Sequence, residues 1–77
     1  MSRDHHTLRR AGEALYGDLW QTALSEDTGV ALRTMQRWAA GTYPIPAGLW
    51  PEIAALARAR GKTLIALALE LETTNPD

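Results

Sequence analysis

The stretch Trp20-Gln-Thr-Ala-Leu-Ser-Glu-Asp-Thr-Gly29-Val-Ala-Leu-Arg33-Thr-Met-Gln-Arg-Trp-Ala-Ala-Gly41 decides the fold. It holds two short helical patterns joined by a turn centred on Gly29. In the first, Trp20, Ala23 and Leu24 form an apolar stripe. Asp18 stands before it as the expected N-cap, with Gln21 three residues on to return a hydrogen bond, and the helix is predicted to run to Asp27. The second is predicted over Leu32 to Ala40, with Met35, Trp38 and Ala39 on one side and Arg33, Gln36, Arg37 and Ala40 on the other. Gly29 and Gly41 end the two helices, because glycine enters the left-handed conformation without steric cost.

Outward from this core the chain reads as all-α, a bundle of about five short helices. A first helix is predicted over 7–16, with Leu8, Ala11 and Leu15 inward, Arg9, Arg10 and Glu13 outward, and Gly17 as its stop. Gly12 inside it costs about 1 kcal/mol relative to alanine, so either a close neighbour or a slight bend is expected there. After Gly41, Pro44 and Pro46 stiffen the connection and bias Tyr43 and Ile45 to extended backbone. A fourth helix is predicted from about Gly48 to Arg60, with Pro51 in its first turn and Ile53, Leu56 and Ala57 inward. Gly61 is read as a break, Thr63 as the cap of a fifth helix over 64–72, and residues 73–77 as a flexible polar tail.

Composition bounds the function. Seventy-seven residues fit a single domain over 1–77, too small for a cleft between domains. Cysteine is absent, which removes disulfides, thiolate metal sites and cysteine nucleophiles together. No apolar run reaches the ~20 residues of a membrane span, and the polar start Met1-Ser-Arg-Asp-His-His lacks a signal peptide's apolar stretch. A cytoplasmic protein with no membrane partner is expected. Eight Lys+Arg against nine Asp+Glu give a net charge of −1. Any affinity for a polyanion must therefore come from basic groups gathered on one face.

Residue types that suggest other chemistry have simpler readings. His5 and His6 lack a third ligand, so no metal is expected. Glu26 and Asp27, and Glu70 and Glu72, do not converge as a catalytic pair would. Gly61-Lys62-Thr63 resembles the end of a phosphate loop, but the earlier glycine position is Leu56 and no strand precedes it. Ser25 has no positioned base. No enzyme activity and no cofactor are expected, and Trp20, Trp38 and Trp50 are read as packing residues.

Two short helices around a tight glycine turn, the second presenting Arg, Gln and Arg, have the spacing of a helix-turn-helix over residues 20–41. Leu24, Val30, Met35 and Trp38 fill its apolar places, Ser25 its small-residue place and Gly29 its turn. On these residues the chain resembles the Cro/C1-type (XRE-like) helix-turn-helix family. Thr28 and Ala31 depart from the pattern, which usually has an apolar residue at the first place and a capping Ser or Thr at the second. The resemblance implies a small phage or mobile-element transcriptional regulator, possible neighbourhoods being anti-CRISPR-associated regulators and antitoxins, in a bacterial cytoplasm.

The side-chain chemistry agrees with such a role. Arg33 and Arg37 can each make a bidentate pair with guanine, Gln36 with adenine, and Leu32 can touch a thymine methyl. Gln21, Thr34, Thr42 and Tyr43 are placed for phosphates. The last helix is apolar nearly all round, through Leu64, Ile65, Leu67, Ala68, Leu69 and Leu71. It is expected either to be enclosed by its own domain or to meet a second copy through Leu64, Leu67, Ala68 and Leu71, with Leu49 and Trp50 joining, inside a contact region over 48–72. The expected function is a homodimeric repressor that binds an inverted-repeat operator in double-stranded DNA, acting by coverage because no effector domain fits. The alternative is a protein-interaction module, an antitoxin or adaptor, that uses the last helix.

Overall fold

Asp4 caps the first helix of the bundle, which starts two residues ahead of the one expected from the apolar pattern. Its carboxylate accepts from the backbone N–H groups of His6 at 3.1 Å and Thr7 at 3.2 Å, capping α1, His5–Tyr16. The bond from Thr7, the largest cause, holds the Asp4 carboxyl below its usual range. The computed structural model describes residues 4–73. It continues with α2, Trp20–Thr28, α3, Leu32–Ala39, and α4, Leu49–Thr73. The described residues are all-helical, with no strand. Apart from Thr73, the expected tail lies outside them.

Among the described residues four helices stand where five were expected, because Gly61 does not break the last one. Gly17, Gly29 and Gly41 have positive φ and terminate helices, whereas Gly61 is absent from that set and lies within α4. Its cost of about 1 kcal/mol is met by strong helix formers on either side, and no proline follows to enforce a stop. Thr63 is accordingly no cap: its hydroxyl donates to the Ala59 carbonyl at 3.1 Å, inside the helix. At 25 residues, α4 is about 37 Å long. The molecule measures 53 × 24 × 19 Å, and its radius of gyration of 15.1 Å exceeds the about 11–12 Å of a spherical domain this size.

The core is built around α1, which packs against each of the other three helices. Leu8, Trp20, Leu24, Met35, Trp38, Ala39, Leu49 and Ile53 are buried together, with Ala11, Leu15, Val30, Trp50 and Leu56 partly buried against them. Leu49, expected at a contact between copies, is thus enclosed in its own domain at 4% exposure. Trp50 is half-buried, and Ala57, expected inward, is exposed. The close neighbour of Gly12 is Trp20: a Cβ added there would overlap the indole, lying 2.8 Å from its Cγ and nearer still to Cδ2 and Cε3.

A polar cluster ties the far end of α1 to two other helices. The Tyr16 hydroxyl donates to Asp27 on α2 at 2.6 Å. Arg60 of α4 donates to the Leu15 carbonyl at 3.0 Å and lies over the Tyr16 ring, 5.1 Å from its centroid. Burial, then the bond to Asp27 and its charge, push the Tyr16 hydroxyl up to about 12.

Two outcomes follow for stability. Gly12→Ala should lower it by about 1–3 kcal/mol in thermal or urea unfolding, since relief would require moving a buried indole. The folded chain also holds the Tyr16 proton more tightly than the unfolded chain does. Stability present below about pH 10 should therefore be lost as the pH rises towards 12. Tyr16→Phe should flatten that loss, and the difference absorbance of tyrosinate between the two proteins should show the late titration.

Candidate nucleic-acid interface

The face that carries Arg33, Gln36 and Arg37 exists because the opposite face of α3 is consumed by the core. Met35 is fully buried, and Trp38 and Ala39 are buried beside it. With those three pointing inward, helical geometry turns residues 33, 36 and 37 outward, and all three are exposed. Leu32 borders them at 39% exposure, while Thr34 is half-buried.

The turn before α3 is set by two residues. Gly29 adopts φ 76° and ψ 9°, and its N–H donates to the Ser25 carbonyl at 2.9 Å. Ser25 is itself buried, with its hydroxyl donating to the Thr22 carbonyl at 2.8 Å. Thr28, the first departure from the family pattern, is satisfied locally: its hydroxyl donates to the Leu24 carbonyl at 2.7 Å and accepts from the Val30 N–H at 3.4 Å. A polar side chain is therefore accommodated where an apolar one is usual. At Ala31, the second departure, the N-cap makes no side-chain hydrogen bond, so α3 starts with no side chain on its first amides.

The start of α2 differs from the expected one. Leu19, not Asp18, is the N-cap residue; it makes no side-chain cap bond and is 81% exposed. Asp18 lies one residue too early to receive the first helical N–H groups. Gln21 is half-buried in the first turn of α2, next to amides that no side chain caps.

After α3 the backbone closes with the paired bonds of a left-handed glycine cap. The Gly41 N–H donates to Trp38 at 3.1 Å and the Thr42 N–H to Arg37 at 3.0 Å, with Gly41 at φ 78°. This reversal returns Tyr43 to the helix it follows, and the Arg37 guanidinium lies over its ring, 5.0 Å from the centroid. Such a contact at an exposed site contributes about 0.5–1 kcal/mol. It joins one expected base-reading residue to one expected phosphate-binding residue. Residue types alone do not reveal that contact; the only signal for it is the glycine at 41.

The expected dimer residues lie elsewhere. Leu64, Leu67, Ala68 and Leu71 are exposed on the second half of α4, and none is enclosed by the domain. Among the described residues, no helix is long and apolar enough to cross a membrane. No protein-family model, no curated protein and no solved structure matches this chain.

Proposed function

We propose that the chain is a sequence-specific double-stranded DNA-binding regulator of the helix-turn-helix type, acting as a homodimeric repressor on an inverted-repeat operator. The observation that carries this reading is the division of α3: Met35, Trp38 and Ala39 are buried while Arg33, Gln36 and Arg37 project to solvent beside a three-residue turn. An α-helix that presents such groups fits the major groove, where Arg reads guanine and Gln reads adenine. Leu32 flanks them for a thymine methyl. Gln21, Thr34, Thr42 and Tyr43 supply the phosphate contacts that fix register. Two basic side chains per α3 on a chain of net charge −1 make attraction local, and a second copy doubles it.

A protein-binding role for α4 is the second reading, favoured by the exposure of its aliphatic residues. The two separate on α3. Specific duplexes are first selected from a random pool, with the duplex upstream of the chain's own gene included, and binding is followed by fluorescence anisotropy against competitor DNA. Arg37→Ala should weaken the selected duplex roughly tenfold to a hundredfold and relax preference at one base position. Parent-like binding by Arg33→Ala, Gln36→Ala and Arg37→Ala alike would overturn the assignment of α3.

Salt provides a second check. The four residues placed on phosphates are uncharged, so Arg33 and Arg37 from two copies set the upper bound on counterion release. The slope of log affinity against log salt should be no steeper than about −4, at roughly −0.9 per phosphate neutralised. A steeper slope would move the backbone contacts to other basic residues.

A further inference from the structure

One face of α4 runs through Ala57, Gly61, Leu64, Ala68 and Leu71, at the alternating spacing of four and three residues that a paired helix presents. Its first part lies along α1, where Ala11, Leu15, Ala57 and Gly61 border an apolar groove of about 600 Å³. α1 ends at Tyr16, and Leu15 is already level with Arg60 through their hydrogen bond. Beyond that point Leu64, Ile65, Leu67, Leu69 and Leu71 stay 46–65% exposed.

Gly61 is the informative residue. Gly12, the other glycine inside a helix, makes room for Trp20, but a Cβ at Gly61 would meet nothing within 4 Å. A mid-helix glycine costs about 1 kcal/mol, and the chain's own packing gives no reason for it. The charges along the same segment are also ordered, with Arg58, Arg60 and Lys62 at its start and Glu70 and Glu72 at its end.

We infer that residues 58–72 pair antiparallel with the same segment of a second copy. This inference rests on the two-copy part of the proposed function and adds the direction and register of the contact. Antiparallel alignment about Ala66 sets Gly61 opposite the partner's Leu71 and Leu64 opposite the partner's Ala68, so each small residue faces a large one. Arg58 then lies beside the partner's Glu72 along the edge of the seam. The partner's Leu71 enters the end of the groove beside Gly61. A parallel alignment would face each small residue with its own copy and stack Arg58 on Arg58 of the partner subunit.

Sedimentation equilibrium of the full chain tests this. The parent should be a dimer, Arg58→Glu and Glu72→Arg should each weaken association roughly tenfold, and the double variant should recover it, because only antiparallel pairing exchanges the two charges. Gly61→Leu should give a monomer with its helical circular dichroism intact, since a Cβ there meets nothing within 4 Å and the rest of the side chain has the open groove to enter. A dimer indifferent to these changes would overturn the antiparallel register and leave the two-copy reading standing. A chain that stays monomeric at every soluble concentration would overturn both and assign the exposed face to a different partner.

Discussion

Trp20 seated on Gly12 is the contact on which the rest of the structure depends. Only a residue without a side chain lets α2 approach α1 so closely, and the indole that fills the space is among the largest groups in a small core. Fixing α2 on α1 fixes the turn at Gly29, and the turn fixes the direction of α3. The fit of Met35 and Trp38 into the same core then decides which side chains of α3 remain outside. A change at position 12 therefore acts on a surface to which it contributes no atom.

A chain of net charge −1 can still gather positive charge locally, and α3 does so. Net charge governs the field at long range, but contact energies depend on groups within a few ångströms, where screening by salt has not yet removed them. Arg33 and Arg37 stand on a short helix whose other face is apolar, and Arg37 is held over Tyr43 rather than left to wander. Asp27, which lies on the helix before the turn, is engaged by the Tyr16 hydroxyl on α1. Two of the eight basic side chains thus stand together on α3, while a carboxylate on the preceding helix is engaged by α1.

Most of the helical layout was legible in the residues because each helix end there has a local chemical cause. Gly17, Gly29 and Gly41 act at positive φ, and Pro44 with Pro46 forbids helix in between. The apolar spacing of Leu24, Met35 and Trp38 identified the core side correctly. What was not legible depended on sums or on distance. Gly61 as a stop is a local reading that the helix propensity of its neighbours outweighs, and Leu49 was assigned outward because its burial requires knowing where α1 lies. Asp18 and Asp4 show the same limit at helix starts: both are good capping residues, and only the backbone path decides which carboxylate reaches free N–H groups. The exposed face on α3 follows from periodicity alone, whereas the Arg37–Tyr43 contact needs the chain reversal that Gly41 permits.

The continuity of α4 has a mechanical consequence that two separate helices would lack. Its first half is anchored by Leu49 and Ile53 in the core and by the bond from Arg60 to the Leu15 carbonyl. Its second half carries the aliphatic face on the same uninterrupted hydrogen-bond ladder. A break at Gly61 would have introduced a hinge between that exposed aliphatic face and the body that carries α3. Without that hinge, the exposed aliphatic face is joined to α3 through the packing of α1 against α4; were two copies to pair through that face, as inferred above, this packing would set the distance between their α3 helices. Discrimination of half-site spacing in an operator depends on such rigidity, because a flexible link would tolerate several spacings with little difference in energy. The helix that makes self-association possible is, on this reading, also the part that measures the DNA.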